Sequence, residues 1–348
     1  MKPYLFFLGS GASVPFGLPT MRQMVNEFEE SLEKYSPVQK LYDLVKIILE
    51  TAYGYVDIES IFSVIDIIIR DVRYIDYGFA SVHKLAMVGV TSLKEKAFHR
   101  SEVERANELA RLMKEFVRER CKLGDSAEVD DKINRLYGRV FEAFCNKYSI
   151  GKTVQSGKSS FFDPQCPIFT TNYDLVVEQY FQGRSYINDL WKDENNIKTL
   201  DVEKIEAGPT TLIKLHGSLN WFQLGDGTVV NLDSAKNRFG SQNVKGEVML
   251  YPIRQKDLYL YPWFNLFYRL KKDLSDTNNW IVLGYSFNDE FIRNTFAEII
   301  KNPAHKMLVI GPSSKDIVNE HFGSNDRIIP IEGKFEDADI TSKVLQHL

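Results

Sequence analysis

The feature that most restricts this chain is a set of five short apolar runs, each ending in small or polar residues. Leu5 to Leu8 runs into Gly9-Ser10-Gly11-Ala12-Ser13, and Pro167-Ile168-Phe169 into Thr170-Thr171-Asn172-Tyr173-Asp174. Leu212 to Leu215 runs into His216-Gly217-Ser218, and Ile281 to Leu283 into Gly284-Tyr285-Ser286. Met307 to Ile310 runs into Gly311-Pro312-Ser313-Ser314. Short apolar runs bounded by turn residues are what strands covered on both faces look like. In open parallel sheets ligands bind beyond the carboxyl ends of the strands, so clusters far apart in sequence converge on one crevice.

Bulk properties remove several function classes. A chain of 348 residues holds one large α/β domain, or such a domain with a sizeable insertion. The 44% hydrophobic and 26% charged content is that of an ordinary globular protein. A net charge of −4 without a basic tract gives no footprint for direct contact with nucleic acid. The three cysteines, Cys121, Cys145 and Cys166, form neither a disulfide framework nor a zinc ribbon, so no metal is expected. No apolar run approaches the ~18–20 residues that span a bilayer. Met1 leads into a strand without the pattern of a secretion signal. The expectation is a cytoplasmic protein that does not bind membranes.

Along the chain, the glycine cluster leads to a helix from about Thr20, and the texture to about Tyr148 is helical. Ile58, Ile61, Phe62, Ile65, Ile68 and Ile69 have the three–four spacing of a buried helix face, with Asp57 placed to cap it. His83 to Leu123 and Asp130 to Tyr148 read as further helices, and Gly151 to Gly157 as a loop. The whole chain therefore reads as one domain: a Rossmann-like parallel sheet formed by 1–22 and 160–348, with a helical insertion over about 23–150. Gly183 to Gly208 reads as loop, and Gly225-Asp226-Gly227 as a hairpin turn after Trp221-Phe222. Helices are predicted after Asp174, after Pro262 and from Asp289, with one more strand and helix to close.

Three clusters carry chemistry. Gly9-Ser10-Gly11-Ala12-Ser13, between a strand and a helix, suits a dinucleotide pyrophosphate, which needs close backbone approach and free N–H groups. Val14 replaces the third glycine of an oxidoreductase fingerprint, and the region that should hold its ribose-binding acid is helical. Asn172 and Asp174 place an amide and a fixed anion in one turn, a pair that also caps helices. Of six histidines, His216 alone sits at a predicted strand end beside a glycine, where an imidazole can serve as a general base. Gly284-Tyr-Ser-Phe-Asn288 lacks the last glycine of a serine-hydrolase elbow.

Taken together, Gly9-Ser-Gly-Ala-Ser13 with Gly17-Leu18-Pro19, Thr171-Asn172-Tyr173-Asp174, Leu215-His216-Gly217 and Gly284-Tyr285-Ser286-Phe287 resemble the sirtuin (SIR2-like) family, in its order and spacing. The resemblance implies a Rossmann-like core that binds NAD and breaks its nicotinamide–ribose bond. It implies catalytic roles for Asn172 (holding ribose and water) and His216 (general base). It implies cofactor contacts for Gly9, Gly11, Ala12, Ser13, Thr171, Asp174, Gly284 and Ser286, with Asp174 on the nicotinamide amide. Protein deacylases of the family carry two Cys-x-x-Cys pairs, an acidic and an aromatic residue after Gly-Ile-Pro, and Gln at the place of Thr171; this chain has none of these. What remains is similar to the SIR2-like NADases of bacterial anti-phage defence. That similarity implies NAD+ hydrolysis to nicotinamide and ADP-ribose, homo-oligomerisation, and a partner ATPase or other defence protein. The alternatives are a non-catalytic NAD or ADP-ribose sensor or regulatory subunit, and an NAD-dependent deacylase.

Overall fold

A computed structural model describes residues 2–32, 36–54, 56–75, 100–147, 153–155, 158–160, 166–182, 190–194, 197–207, 212–232, 244–250 and 261–348. The chain divides into two compact units. The first comprises Met1–Leu18, Lys122–Met249 and Asp257–Leu348, and the second Pro19–Cys121 with Leu250–Lys256.

The first unit is built on a six-stranded sheet. Numbered within this sheet, its strands are β1 (Lys2–Leu8), β2 (Ile168–Thr170), β3 (Leu212–Lys214), β4 (Thr277–Leu283), β5 (Lys306–Gly311) and β6 (Ile328–Glu332). They lie in the order β3-β2-β1-β4-β5-β6, and every pair is parallel. That is the doubly wound Rossmann arrangement, whose strand order reverses between β1 and β4. The five apolar runs are thus five adjacent strands. The sixth, Ile-Ile-Pro-Ile-Glu, escapes the pattern because it is an edge strand: Pro330 is tolerated only where a ladder N–H is not needed.

Side chains alternate across the sheet, so β1 feeds two cores. Tyr4, Phe6 and Leu8 face one side, where Phe6 meets Phe141 and Phe144 at ring-centroid distances of 5.2 and 4.9 Å. Phe7 faces the other, 5.2 Å from Phe296. Phe141 and Phe144 belong to helix Ala127–Lys147, which the sequence reading assigned to the insertion but which packs in the core of the first unit.

Two loop expectations are corrected. Within 183–208, Trp191–Glu194 and Ile197–Leu200 form an antiparallel pair and Val202–Ala207 a helix. The pair joins a second, five-stranded sheet with Gly217–Leu224, Val229–Asn231 and Val244–Met249. The charged, Asn-rich sequence concealed a half-exposed hairpin held by Trp191, whose ring lies 5.2 Å from that of Trp221. Within 151–157, Thr153–Gln155 pairs with Lys158–Ser160. The hairpin over Gly225–Gly227 is present as expected.

The second unit is helical: Met21–Leu32, Ser36–Tyr53, Ile58–Ile75 and Arg100–Arg120. Thr20 and Gln23 form a reciprocal capping box, the Thr20 N–H donating to Gln23 Oε1 at 2.8 Å and the Gln23 N–H to Thr20 Oγ1 at 3.3 Å. Asp57 caps its helix as expected, accepting from the Ser60 N–H at 2.7 Å. Phe28 anchors the apolar face against Tyr42 and Phe116, at 5.6 and 5.2 Å. The predicted helix from His83 lies outside the described residues as far as position 99.

Candidate functional site

All five cluster-bearing strands deliver their loops to one edge of the sheet, and the first and fourth meet at the point of strand reversal. The Gly9 N–H donates to the carbonyl of Leu283, and the Gly11 N–H to that of Gly284, both at 2.9 Å. The contact is main chain on main chain. A Cβ on Gly9 would stand 2.5 Å from Gly284 O, and one on Gly284 2.5 Å from Ala12 N. Gly284 also has φ +64°, a conformation that suits glycine. The N–H groups of Ala12 and Ser13 close turns on Gly9 and Ser10. The expectation that these amides stand free for an anion is therefore corrected: four of them are committed within the protein. Close approach of two loops accounts for the glycines.

The β2 loop supplies the polar centre. The amide nitrogen of Asn172 donates to the Gly9 carbonyl at 2.9 Å and to Ser13 Oγ at 3.0 Å. Ser13 Oγ in turn donates to Asp174 Oδ2 at 2.7 Å, and the Val176 N–H reaches Asp174 Oδ1 at 3.1 Å. Because a carbonyl only accepts, the bond to Gly9 settles which end of the Asn172 amide is nitrogen. Its Oδ1 is left as the acceptor end, and among the described residues it takes no hydrogen bond. Asn172, Ser13 and Asp174 are all buried. Asp174 is both a local cap, as its residue type suggests, and the end of a buried hydrogen-bond chain. Thr171 is tied in by its backbone, its N–H donating to Leu8 O at 3.3 Å.

His216 follows β3 and is buried between the rings of Tyr173 and Phe267, with centroid distances of 6.4 and 6.3 Å. Gly217 has to be glycine: its φ is +80°, and a Cβ would stand 2.0 Å from the Val248 carbonyl. Nε2 of His216 lies 3.4 Å from Oδ2 of Asp289. Ser286 is exposed on the β4 loop and has no hydrogen bond to the Ser13–Asn172–Asp174 chain.

Two charged residues of the candidate site have no role in the sequence reading. In the sequence Asp289 reads as the start of a helix and as the aspartate that follows the Gly-Tyr-Ser-Phe block, without a role of its own. Lys214 was passed over inside an apolar run, yet its side chain is buried on β3. Its ammonium donates to the carbonyls of Tyr173 and Asp174, to Ser218 Oγ at 2.8 Å and to Glu178 Oε1 at 2.9 Å. A cation inside an otherwise apolar strand was the available signal, because an ammonium is buried only where partners await it. Burial pushes the Glu178 carboxyl up, and Lys214 offsets part of that rise. Tyr137 is pushed well above the usual phenol range by burial, then by the carboxylates of Asp174 and Glu178.

Among the described residues no group of three or more His, Cys, Asp or Glu is placed to hold a metal ion, and no helix is long and apolar enough to cross a membrane. No curated protein matches the chain. Of solved structures, Sir2 bound to an acetylated peptide is similar with a TM-score of 0.40 and 9% identity, over 99% of this chain and 93% of that one. A Sir2 homologue in complex with NAD is similar with a TM-score of 0.43 and 11% identity, over 99% and 89%. The family model described as the SIR2-like domain matches residues 167–331, the stretch that carries β2 to β6, Asn172, Asp174, His216 and Asp289. Over residues 167–331, a little under half of its length, this chain is thus similar to the SIR2-like domain.

Proposed function

We propose that the protein is an NAD+ glycohydrolase, releasing nicotinamide and ADP-ribose. The observation that carries the reading is the buried Asn172–Ser13–Asp174 hydrogen-bond chain at the ligand-binding edge of a Rossmann sheet, with the buried imidazole of His216 6.4 Å, ring to ring, from the intervening Tyr173. Nicotinamide is a cationic leaving group: the bond to ribose C1′ breaks, its electron pair neutralises the ring, and no general acid is needed. The protein has to stabilise an oxocarbenium-like ribose and deliver water to it. Asn172 Oδ1 accepts from that water, His216 takes its proton, and the water oxygen bonds to C1′. Asp174 receives the nicotinamide amide on the lone pairs left by Ser13 and Val176. Gly9, Gly11, Ala12, Ser13, Thr171, Gly284 and Ser286 line the dinucleotide, by shape and carbonyls more than by free amides.

The helical unit is proposed to restrain the activity by self-assembly or by binding a partner protein such as an ATPase, as fits a cytoplasmic defence role. Purified protein mixed with NAD+ is expected to release nicotinamide, measured by chromatography. His216→Ala and Asn172→Ala are expected to lower that rate ~100-fold or more while still binding NAD+. Wild-type turnover in either variant overturns the assignment. Binding of NAD+ by the unaltered protein without release of nicotinamide would favour a sensor, and consumption of NAD+ only with an acylated peptide a deacylase.

A further inference from the structure

We propose that Asp289 is the positioning residue for His216, so that imidazole and carboxylate form a dyad assembled by loops from strands that are not neighbours. In the sheet β3 and β4 are separated by β2 and β1, three inter-strand steps of ~4.8 Å each. Their loops nevertheless arch over that edge until His216 Nε2 and Asp289 Oδ2 stand 3.4 Å apart, with side chains 4% and 7% exposed. Such an approach across two strands needs an elaborate loop, and the β4 loop is one. Both Gly284 and Phe287 have positive φ, +64° and +59°. A phenylalanine there is held against its backbone preference, and Phe287 is fully buried against Tyr285, Phe296 and Phe322.

Asp289 is also fixed in direction. It caps helix Glu290–Ile299, with Oδ1 accepting from the N–H groups of Phe291 and Ile292 at 3.1 and 3.2 Å. The helix terminus favours the ionised form, and the capping bonds aim the second oxygen at the imidazole. The neighbouring charges have other partners. Asp174 is held by Ser13 and the Val176 N–H, Lys214 by the Tyr173 and Asp174 carbonyls, Ser218 and Glu178, and Arg293 by the Phe287 carbonyl.

As a step in catalysis, the inference rests on reading His216 as the base of NAD+ cleavage, and the test separates the two. Capping uses only Oδ1, and asparagine caps as well as aspartate. Asp289→Asn therefore removes the charge while leaving the cap, and its thermal midpoint is expected to match that of the unaltered protein. Nitrogen NMR of the full chain follows the His216 ring, identified by the signal that His216→Ala loses. In Asp289→Asn the imidazole titration is expected to fall by about one pH unit, as loss of a nearby opposite charge requires. The kcat for NAD+ is expected to drop ~10–100-fold with KM nearly constant, the acid limb of its pH profile moving with the titration. If the His216 titration is the same in Asp289→Asn, the dyad is wrong, whatever the activity. If it shifts while the unaltered protein releases no nicotinamide, the dyad stands and the glycohydrolase reading fails.

Discussion

At the scale of single residues, the site buries polar side chains most of whose atoms are paired, while Glu178 keeps one carboxylate oxygen without a hydrogen bond among the described residues. Glu178 gives a direct test. Its folded-state carboxyl holds a proton more tightly than the ordinary value of 4.5, chiefly through burial. A raised carboxyl stabilises the fold by protonation. That contribution is complete below about pH 4.5 and is lost as pH rises through the raised folded value. Glu178→Gln removes this dependence, so denaturant unfolding between pH 4 and 7 is expected to show a flatter stability profile than the unaltered protein. An unchanged slope would mean that Lys214 compensates the burial of Glu178 in full. Lys214 also shows why residue-level reading fell short: in the sequence it interrupts a hydrophobic run, and only the fold shows which carbonyls its ammonium holds.

Among the elements, the contact between the β1 and β4 loops is the least forgiving. Gly284→Ala puts a methyl group into main-chain atoms at 2.5 Å and forces a left-handed alanine, so a loss of about 2 kcal/mol or more is expected. Gly311, also at a strand end, has nothing within 4 Å of its would-be Cβ, and Gly311→Ala is expected to stay within about 0.5 kcal/mol. Urea midpoints of the two variants make the comparison. The elements divide by legibility on physical grounds. Strands buried on both faces announce themselves by composition, so β1 to β5 and the clusters at their ends were readable. Edge strand β6 and the hairpin Trp191–Leu200 were not, because half-exposed strands carry polar residues and proline. Gly9, Ser13, Asn172 and Asp174 were readable as one site, but not the bonds among them. The fate of the loop amides was hidden too, since it depends on Leu283 and Gly284, far away in sequence.

For the molecule as a whole, the boundary between the units is not the boundary of the helical sequence. Helix Ala127–Lys147 brings Tyr137, Phe141 and Phe144 into the core of the first unit. A chain in which a flexible linker joins Leu18 to Lys122 keeps that core and is expected to unfold cooperatively. A deletion extended through residue 150 is expected to lose its near-ultraviolet circular dichroism. Equal behaviour of the two would show that the helix is dispensable. The position of β1 has a different consequence. It lies in the middle of the sheet, and its main partner is β4, matched from Lys2 with Thr277 to Leu8 with Leu283. During translation β1 must wait for a neighbour synthesised much later. Until that neighbour leaves the ribosome, the nascent chain has neither apposed glycines nor a histidine facing an aspartate. On the proposed reading as an NAD+ glycohydrolase, the cell would thus be protected from every unfinished copy.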